Sequence, residues 1–159
     1  MKKIILLFIA LFSLTNSIAQ NDKSIVGKWR VVSFRTNDVF LSKETDSVWA
    51  SDKLKSNYKH PEAFQNEIAH HRMNYLSNFF IFSEKNEYER YLTEDKRVLL
   101  HKGKYELQDN SSIVLNVVTR IETTFTLTSE YHFENEYLHL LIKDSRGLNP
   151  INYVLEKIE

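Results

Sequence analysis

The chain has 159 residues, 21 basic against 21 acidic side chains, and no cysteine. A near-neutral chain without a basic cluster is poorly suited to nucleic acid or to an anionic membrane surface, and the lack of cysteine excludes disulfides, thiolate chemistry and zinc–thiolate sites. Without an internal repeat, a chain of this length is predicted to form one domain.

The first 19 residues have the pattern of a secretory signal peptide. A basic start is followed by the continuous apolar run Ile4–Phe12 and by a small-residue cleavage site at Ser17–Ala19. The apolar run is too short to span a membrane. The pattern predicts an exported protein, periplasmic or secreted, whose mature domain comprises residues 20–159.

Ile25–Phe34 is predicted to form the first strand, because β-branched and aromatic residues favour a pleated conformation. Gly27 permits a close backbone approach or a sharp bend. Trp29 is large enough to close one end of an apolar interior. The simpler alternative is an ordinary first strand with one core tryptophan.

A long connection, roughly residues 36–77, follows this strand. Asn37–Ser51 is mostly polar and is expected to be irregular, Asp52 is expected to cap a short helix, and Pro61 fits the first turn of a second helix. Spacings of four, three and four place four side chains on one face of that helix: Phe64, Ile68, His71 and Tyr75. The helical insertion covers about residues 50–76, and its Pro61–Leu76 helix is predicted to act as a lid or plug.

Seven further strands are predicted after the insertion, separated by turns rich in Asn, Asp, Ser and Lys. They are Asn78–Ser83, Glu87–Leu92, Arg97–Leu107, Ile113–Val118, Ile121–Glu134, Tyr137–Lys143 and Ile151–Ile158. Glycine is scarce, so most of these turns are expected to form without it. Eight strands joined mainly by short turns predict an all-β fold with a helical insertion: an eight-stranded antiparallel up-and-down β-barrel with the helix between strands 1 and 2.

Four short motifs resemble the lipocalin-like branch of the calycin superfamily, in the form exported by bacteria. They are Gly27-Lys28-Trp29, Phe80-Ile81-Phe82, Glu87-Tyr88-Glu89-Arg90-Tyr91 and Gly103-x-Tyr105-x-Leu107. The resemblance implies a barrel with a ligand cavity at one end and a base plugged by the tryptophan. It also implies a basic residue over that tryptophan, either Arg146 or Arg120.

The sequence departs from the family pattern in three ways. The insertion after the first strand is unusually long, and cysteines are absent. Asn152-Tyr153 stands near the C-terminus, where fatty-acid-binding relatives carry an Arg-x-Tyr carboxylate clamp.

The inward positions of the predicted strands define the candidate ligand site. They are Phe80, Phe82, Tyr88, Arg90, His101, Tyr105, Phe125, Leu127, Ser129 and Tyr131. An apolar cleft with a few polar groups is typical of small-molecule sites. An inward Arg90 would mark the polar end of the ligand, because a buried charge needs a partner, whereas an outward Arg90 would be an ordinary surface charge.

Motifs for catalysis and metal binding are weak. The sequence has no Gly-x-Ser-x-Gly elbow and no phosphate-binding glycine loop. Glu67 and His70 have the spacing found in di-iron bundles, but such a site needs a second pair and two more glutamates on helices. His132 and His139 are expected to pair on the outer face of neighbouring strands. We therefore predict no metal site and no cofactor.

The sequence favours a non-enzymatic, exported, lipocalin-like protein that binds a small lipophilic molecule in the barrel interior. One alternative is a packed barrel that acts as a protein–protein interaction module in the cell envelope through the amphipathic helix and the long polar connection. Another alternative is an enzyme that uses His101 with an inward carboxylate, since fold alone does not determine function.

Overall fold

The computed structural model describes residues 24–94, 97–108, 111–118, 123–143 and 150–159, with the backbone alone for residues 93, 94 and 97–99. Ten strands lie within these ranges: β1 (Gly27–Arg35), β2 (Val39–Ser42), β3 (Val48–Ala50), β4 (Phe79–Phe82), β5 (Glu87–Glu94), β6 (Arg97–Leu107), β7 (Ser112–Val118), β8 (Thr124–Glu134), β9 (Tyr137–Lys143) and β10 (Ile151–Lys157). The predicted signal peptide lies outside the described residues.

Eight of these strands form a closed barrel. β4 to β10 follow one another as an antiparallel meander, and β1 pairs antiparallel with β4 on one side and β10 on the other. Closure removes the unpaired edges that an open sheet would expose. The predicted all-β, eight-stranded antiparallel barrel is confirmed. We call the end where β1 begins and β10 ends the base, and the opposite end the mouth.

The helical insertion follows β3, not β1 as predicted. It consists of α1 (Asp52–Ser56), α2 (Pro61–His71) and one π-helical turn (Arg72–Leu76). The expectation that Asn37–Ser51 would be irregular is wrong, because β2 and β3 form a hairpin there. Its inner side chains Val39 and Leu41 are buried, and β2 pairs with the last residues of β1.

The helices begin close to where the sequence predicts. Ser51, one residue before the expected Asp52, caps α1 by accepting a hydrogen bond from the Leu54 N–H at 3.0 Å. Pro61 occupies the first turn of α2, as predicted. None of the helices among the described residues has both the length and the apolar composition that crossing a membrane requires.

The apolar face predicted for α2 packs on the barrel and continues into the π-helical turn. Ile68 is buried, and Phe64 and Tyr75 pack against the core. The Tyr75 ring lies 4.6 Å from that of Phe34, at the mouth end of β1. The insertion is therefore anchored beside the mouth, where the π-helical turn contacts β1, β2 and β5.

Trp29 closes the interior near the base. Its side chain is 2% exposed, its indole N–H donates to the Ile25 carbonyl at 2.8 Å, and its ring lies 6.0 Å from that of Phe133. Lys157 Nζ lies 5.6 Å from the Trp29 ring, since the two residues are register partners where β1 meets β10. Arg146 and Arg120, the basic residues that the resemblance suggested, lie outside the described residues.

Among the described residues, two hairpins turn at asparagine, whereas glycine is found where two backbones come close together. Asn86 and Asn135 adopt positive φ angles of 58° and 54° in the β4–β5 and β8–β9 hairpins, because asparagine tolerates this conformation. Gly103 is different: a Cβ atom there would collide with the Asn116 carbonyl oxygen of the neighbouring strand β7. The backbones of β6 and β7 therefore approach closely at this one point.

Candidate functional site

All ten candidate residues occupy inward positions of their strands. They are Phe80 and Phe82 on β4, Tyr88 and Arg90 on β5, His101 and Tyr105 on β6, and Phe125, Leu127, Ser129 and Tyr131 on β8. Their outward neighbours on β8 are exposed, so the alternation predicted for this strand is present. The barrel thus gathers these side chains around one interior.

On β5 and β8, the inward side chains nearer the mouth are more exposed than those in the middle of the barrel. On β5, Tyr88 is 1% exposed, whereas Arg90, two residues nearer the mouth, is partly exposed. On β8, Leu127 is buried, whereas Phe125, two residues nearer the mouth, is partly exposed. His101 on β6 is also partly exposed. Three of the ten candidate side chains are therefore partly exposed, and all three lie towards the mouth.

Aromatic rings from four strands line the middle of the barrel. The Phe80 ring lies 5.4 Å from Tyr153 and 6.5 Å from Tyr88. Phe82 lies 5.6 Å from Tyr88 and 5.3 Å from Tyr105, the latter edge-on. These contacts connect β4, β5, β6 and β10, and they form the apolar wall beneath the charged side chain of the interior.

That charged side chain is Arg90, whose guanidinium lies between two aromatic faces. Its Cζ atom lies 5.2 Å from the Phe80 ring centroid and 5.1 Å from that of Tyr153. Nη2 donates a hydrogen bond to the Tyr153 hydroxyl. Cation–π contacts of this kind contribute about 0.5–2 kcal/mol each. Of the two orientations considered from the sequence, the inward one is present.

No carboxylate within the described ranges forms a salt bridge with Arg90. Its Nε atom is shielded from solvent and has no hydrogen-bond partner among the described residues, and the same holds for the hydroxyl of Ser129 on the inner face of β8. Leaving such a group unsatisfied costs about 1–3 kcal/mol. The inner surface therefore offers unused polar groups and a positive charge.

Two buried phenols contribute to the electrostatics around Arg90. Burial raises the pKa of Tyr153, and the nearby guanidinium acts in the opposite direction. Burial likewise raises the pKa of Tyr88, which also hydrogen-bonds to Arg90. Both hydroxyls stay protonated at neutral pH. The Tyr153 oxygen accepts from Arg90 and keeps a proton to donate, so the pair presents N–H and O–H donors suited to an oxyanion.

The remaining candidate residues surround this pair less directly. Arg90 and His101 are register partners across β5 and β6, and the His101 ring meets Phe125 edge-on at 6.3 Å. Tyr131 lies nearer the base, with its ring 6.3 Å from Phe133. The structure thus groups Arg90, His101 and Phe125 towards the mouth, whereas Tyr131 belongs to the packed base.

Sequence reasoning missed Tyr153 as a site residue, although the alternation of Ile151, Tyr153 and Leu155 marks it as inward. It also missed two residues of the connection before β4. The Asn78 side chain approaches the Tyr153 hydroxyl, and Tyr75 lies close enough to influence the charge state of Tyr153. The end of the helical insertion therefore borders the Arg90–Tyr153 pair.

The histidines of α2 behave differently from one another. His70 is exposed, and its Nε2 atom lies 2.7 Å from the Asn74 amide nitrogen. His71 instead faces the barrel, where its ring stacks on Tyr75 at 5.6 Å and burial lowers its pKa. Glu67 pairs with His71 at 3.2 Å, four residues along the same helix.

Neither a protein-family model nor a curated protein matches this chain. The closed eight-stranded antiparallel barrel is consistent with the lipocalin-like fold that the short motifs suggested.

Proposed function

We propose that this protein is a non-enzymatic binder of a small lipophilic molecule that carries an oxyanion, such as a carboxylate or sulfonate. The apolar part of the ligand lies against the partly exposed rings of His101 and Phe125, on the mouth side of the aromatic wall. Its anionic end receives hydrogen bonds from Arg90 and Tyr153. The observation that carries this proposal is the interior guanidinium without a carboxylate partner among the described residues.

Charge favours an anionic ligand over a neutral one. An interior cation held only by aromatic faces and hydroxyls retains part of its desolvation cost, and an incoming oxyanion offsets that cost. Hydrogen bonds between a guanidinium and an oxyanion are about twice as strong as neutral ones. The pair is assembled from β5 and β10, so it supplies the chemistry of a carboxylate clamp without the Arg-x-Tyr motif.

The helical insertion is proposed as the lid of this site. Tyr75, at its C-terminal end, and Asn78, in the connection that follows it, border the Arg90–Tyr153 pair. The π-helical turn that contains Tyr75 packs on the mouth side of the barrel. The leader pattern of the first 19 residues supports export to a periplasm or the extracellular space, within the exported lipocalin-like group that the motifs resemble.

Probe titration tests the proposed function. The mature protein is titrated with anilinonaphthalene sulfonate, an anionic lipophile, and with N-phenylnaphthylamine, which has the same rings but no charge. We expect saturable one-to-one binding of both probes, quenching of the intrinsic fluorescence, and tighter binding of the sulfonate. Failure to bind either probe, or tighter binding of the uncharged one, would contradict the proposal.

An envelope interaction module is a second candidate function, favoured by the outer face of the β2–β3 hairpin. Trp49 on this face is 50% exposed, Val48 on the opposite face of β3 is 44% exposed, and β3 lies at the end of the sheet. Trp49, Phe40 and Arg35 are register neighbours across β3, β2 and β1, with Arg35 5.0 Å from the Phe40 ring. An end strand with exposed apolar residues can accept a strand from a partner protein.

Substitution of Trp49 separates the two candidates. If the hairpin is a docking surface, we expect wild-type protein and Arg90→Met to retain the same partner from envelope extract, and Trp49→Ser to lose it. Probe binding in the interior is expected to be unchanged in Trp49→Ser. Equal retention by all three proteins would remove the hairpin from consideration.

A further inference from the structure

The outer surface near the base carries a cluster of metal-ligating side chains that the barrel interior does not use. His132 and Glu134 lie at the end of β8, and His139 lies at the start of β9. Each contributes one ligand atom, and these atoms all lie within 4.8 Å of one another. Within the part of the chain that the structure describes, no other group of three His, Asp or Glu side chains lies close enough together to share one ion.

Strand register holds these three side chains together. His132 and His139 are direct partners across β8 and β9, and their rings stack with centroids 4.6 Å apart and an interplanar angle of 14°. Glu134 is two residues beyond His132 and so faces the same side of the sheet. The two-residue connection Asn135–Glu136 fixes this pairing. The three side chains therefore share one outer face of the sheet, and the stacked rings must turn before both imidazole lone pairs, which lie in the ring planes, point at one ion.

The distances suit a tetrahedral ion bound through nitrogen and oxygen. Zn²⁺ bonds of about 2.0–2.2 Å to imidazole and carboxylate give a separation of roughly 3.3 Å between neighbouring ligand atoms. His139 Nε2 lies 3.4 Å from Glu134 Oε2, which matches that separation. His132 and Glu134 are exposed, so their side chains have room to rotate towards a shared ion.

We propose that His132, Glu134 and His139 form a surface site for a divalent transition-metal ion, with Zn²⁺ as the ion whose ligand preferences the set fits. Water completes the coordination from the solvent side. Mg²⁺ and Ca²⁺ are excluded because they require several oxygen ligands and the site offers one carboxylate. This inference is independent of ligand binding in the interior, because the cluster is on the outer face of the sheet.

Calorimetric titration of the untagged mature protein with ZnCl₂ tests this site. We expect one ion per chain, with affinity reduced by more than about tenfold in His132→Ala and in Glu134→Gln. Both residues are exposed, so neither variant is expected to unfold. His70→Ala, which removes an exposed histidine of α2, is the matched control and is expected to bind zinc as the wild type does.

Thermal unfolding gives a second measurement. We expect Zn²⁺ to raise the Tm of the wild type and of His70→Ala, and to leave the Tm of His132→Ala unchanged, since an ion that binds only the folded state stabilises it. Three results would overturn the proposal: no zinc binding by the wild type, equal binding by His132→Ala, or equal binding of Mg²⁺.

Discussion

Replacing Arg90 with methionine is expected to weaken the binding of anilinonaphthalene sulfonate by about 10- to 100-fold, which corresponds to about 1.5–3 kcal/mol for hydrogen bonds to a charged group. Binding of the uncharged N-phenylnaphthylamine is expected to change little, because the aromatic wall of Phe80 and Tyr153 remains. Fluorescence titration of wild type and variant with both probes measures this difference.

The stability of Arg90→Met distinguishes a binding role from a structural one. Methionine has similar length and no charge, so the free energy of unfolding is expected to change little, because relief of the desolvation cost of the guanidinium offsets the lost cation–π contacts and the lost hydrogen bond to Tyr153. Arg90→Lys keeps the charge but loses the planar fork, and its affinity for the sulfonate is expected to be intermediate. If Arg90→Met lost both probes equally and unfolded more easily, Arg90 would be a structural residue.

Truncating Trp29 to alanine is expected to lower the free energy of unfolding by about 3–5 kcal/mol, the range for large aromatic residues in a core. The side chain is 2% exposed and packs on Phe133, Ile25 accepts its N–H, and Lys157 covers its ring. Alanine would leave a cavity at the base and an unsatisfied Ile25 carbonyl. Chemical unfolding followed by circular dichroism measures this loss.

The chain contains a matched control for this substitution, because its other tryptophan lies on the surface. Trp49 is 50% exposed on β3, so Trp49→Ala is expected to change stability by no more than about 0.5 kcal/mol. Equal losses for Trp29→Ala and Trp49→Ala would show that the indole near the base does not hold the barrel closed.

The barrel strands follow closely from the sequence pattern, because alternation and turn residues are local signals. β6 and β9 begin and end at the predicted residues, and Leu127, Ser129 and Tyr131 are buried as their parity predicts. β2 and β3 were missed because they have four and three residues and lie in a polar stretch. The last residues of β1 extend past the end of β4, and β2 pairs with the edge that this leaves open. β3 then pairs with β2.

The polar centre of the candidate site depends on contacts that no local pattern specifies. Arg90 was identified by its parity, but its partner Tyr153 follows 63 residues later and reaches it only because the barrel closes. The same holds for Lys157, which covers Trp29 through the register of β1 and β10. The alternation of side chains along each strand predicts which residues face inward. Closure of the barrel determines which of these inward residues contact each other.

The most direct test of a ligand-binding interior compares two neighbouring positions on β8 in the same sulfonate titration. Phe125 faces the interior near His101, and Thr126 faces solvent. Phe125→Glu introduces a carboxylate on the inner face that competes with an anionic ligand for Arg90, and we expect it to abolish binding. Thr126→Glu is expected to bind as the wild type does. Unchanged binding by Phe125→Glu, or equal loss in both variants, would contradict an interior site.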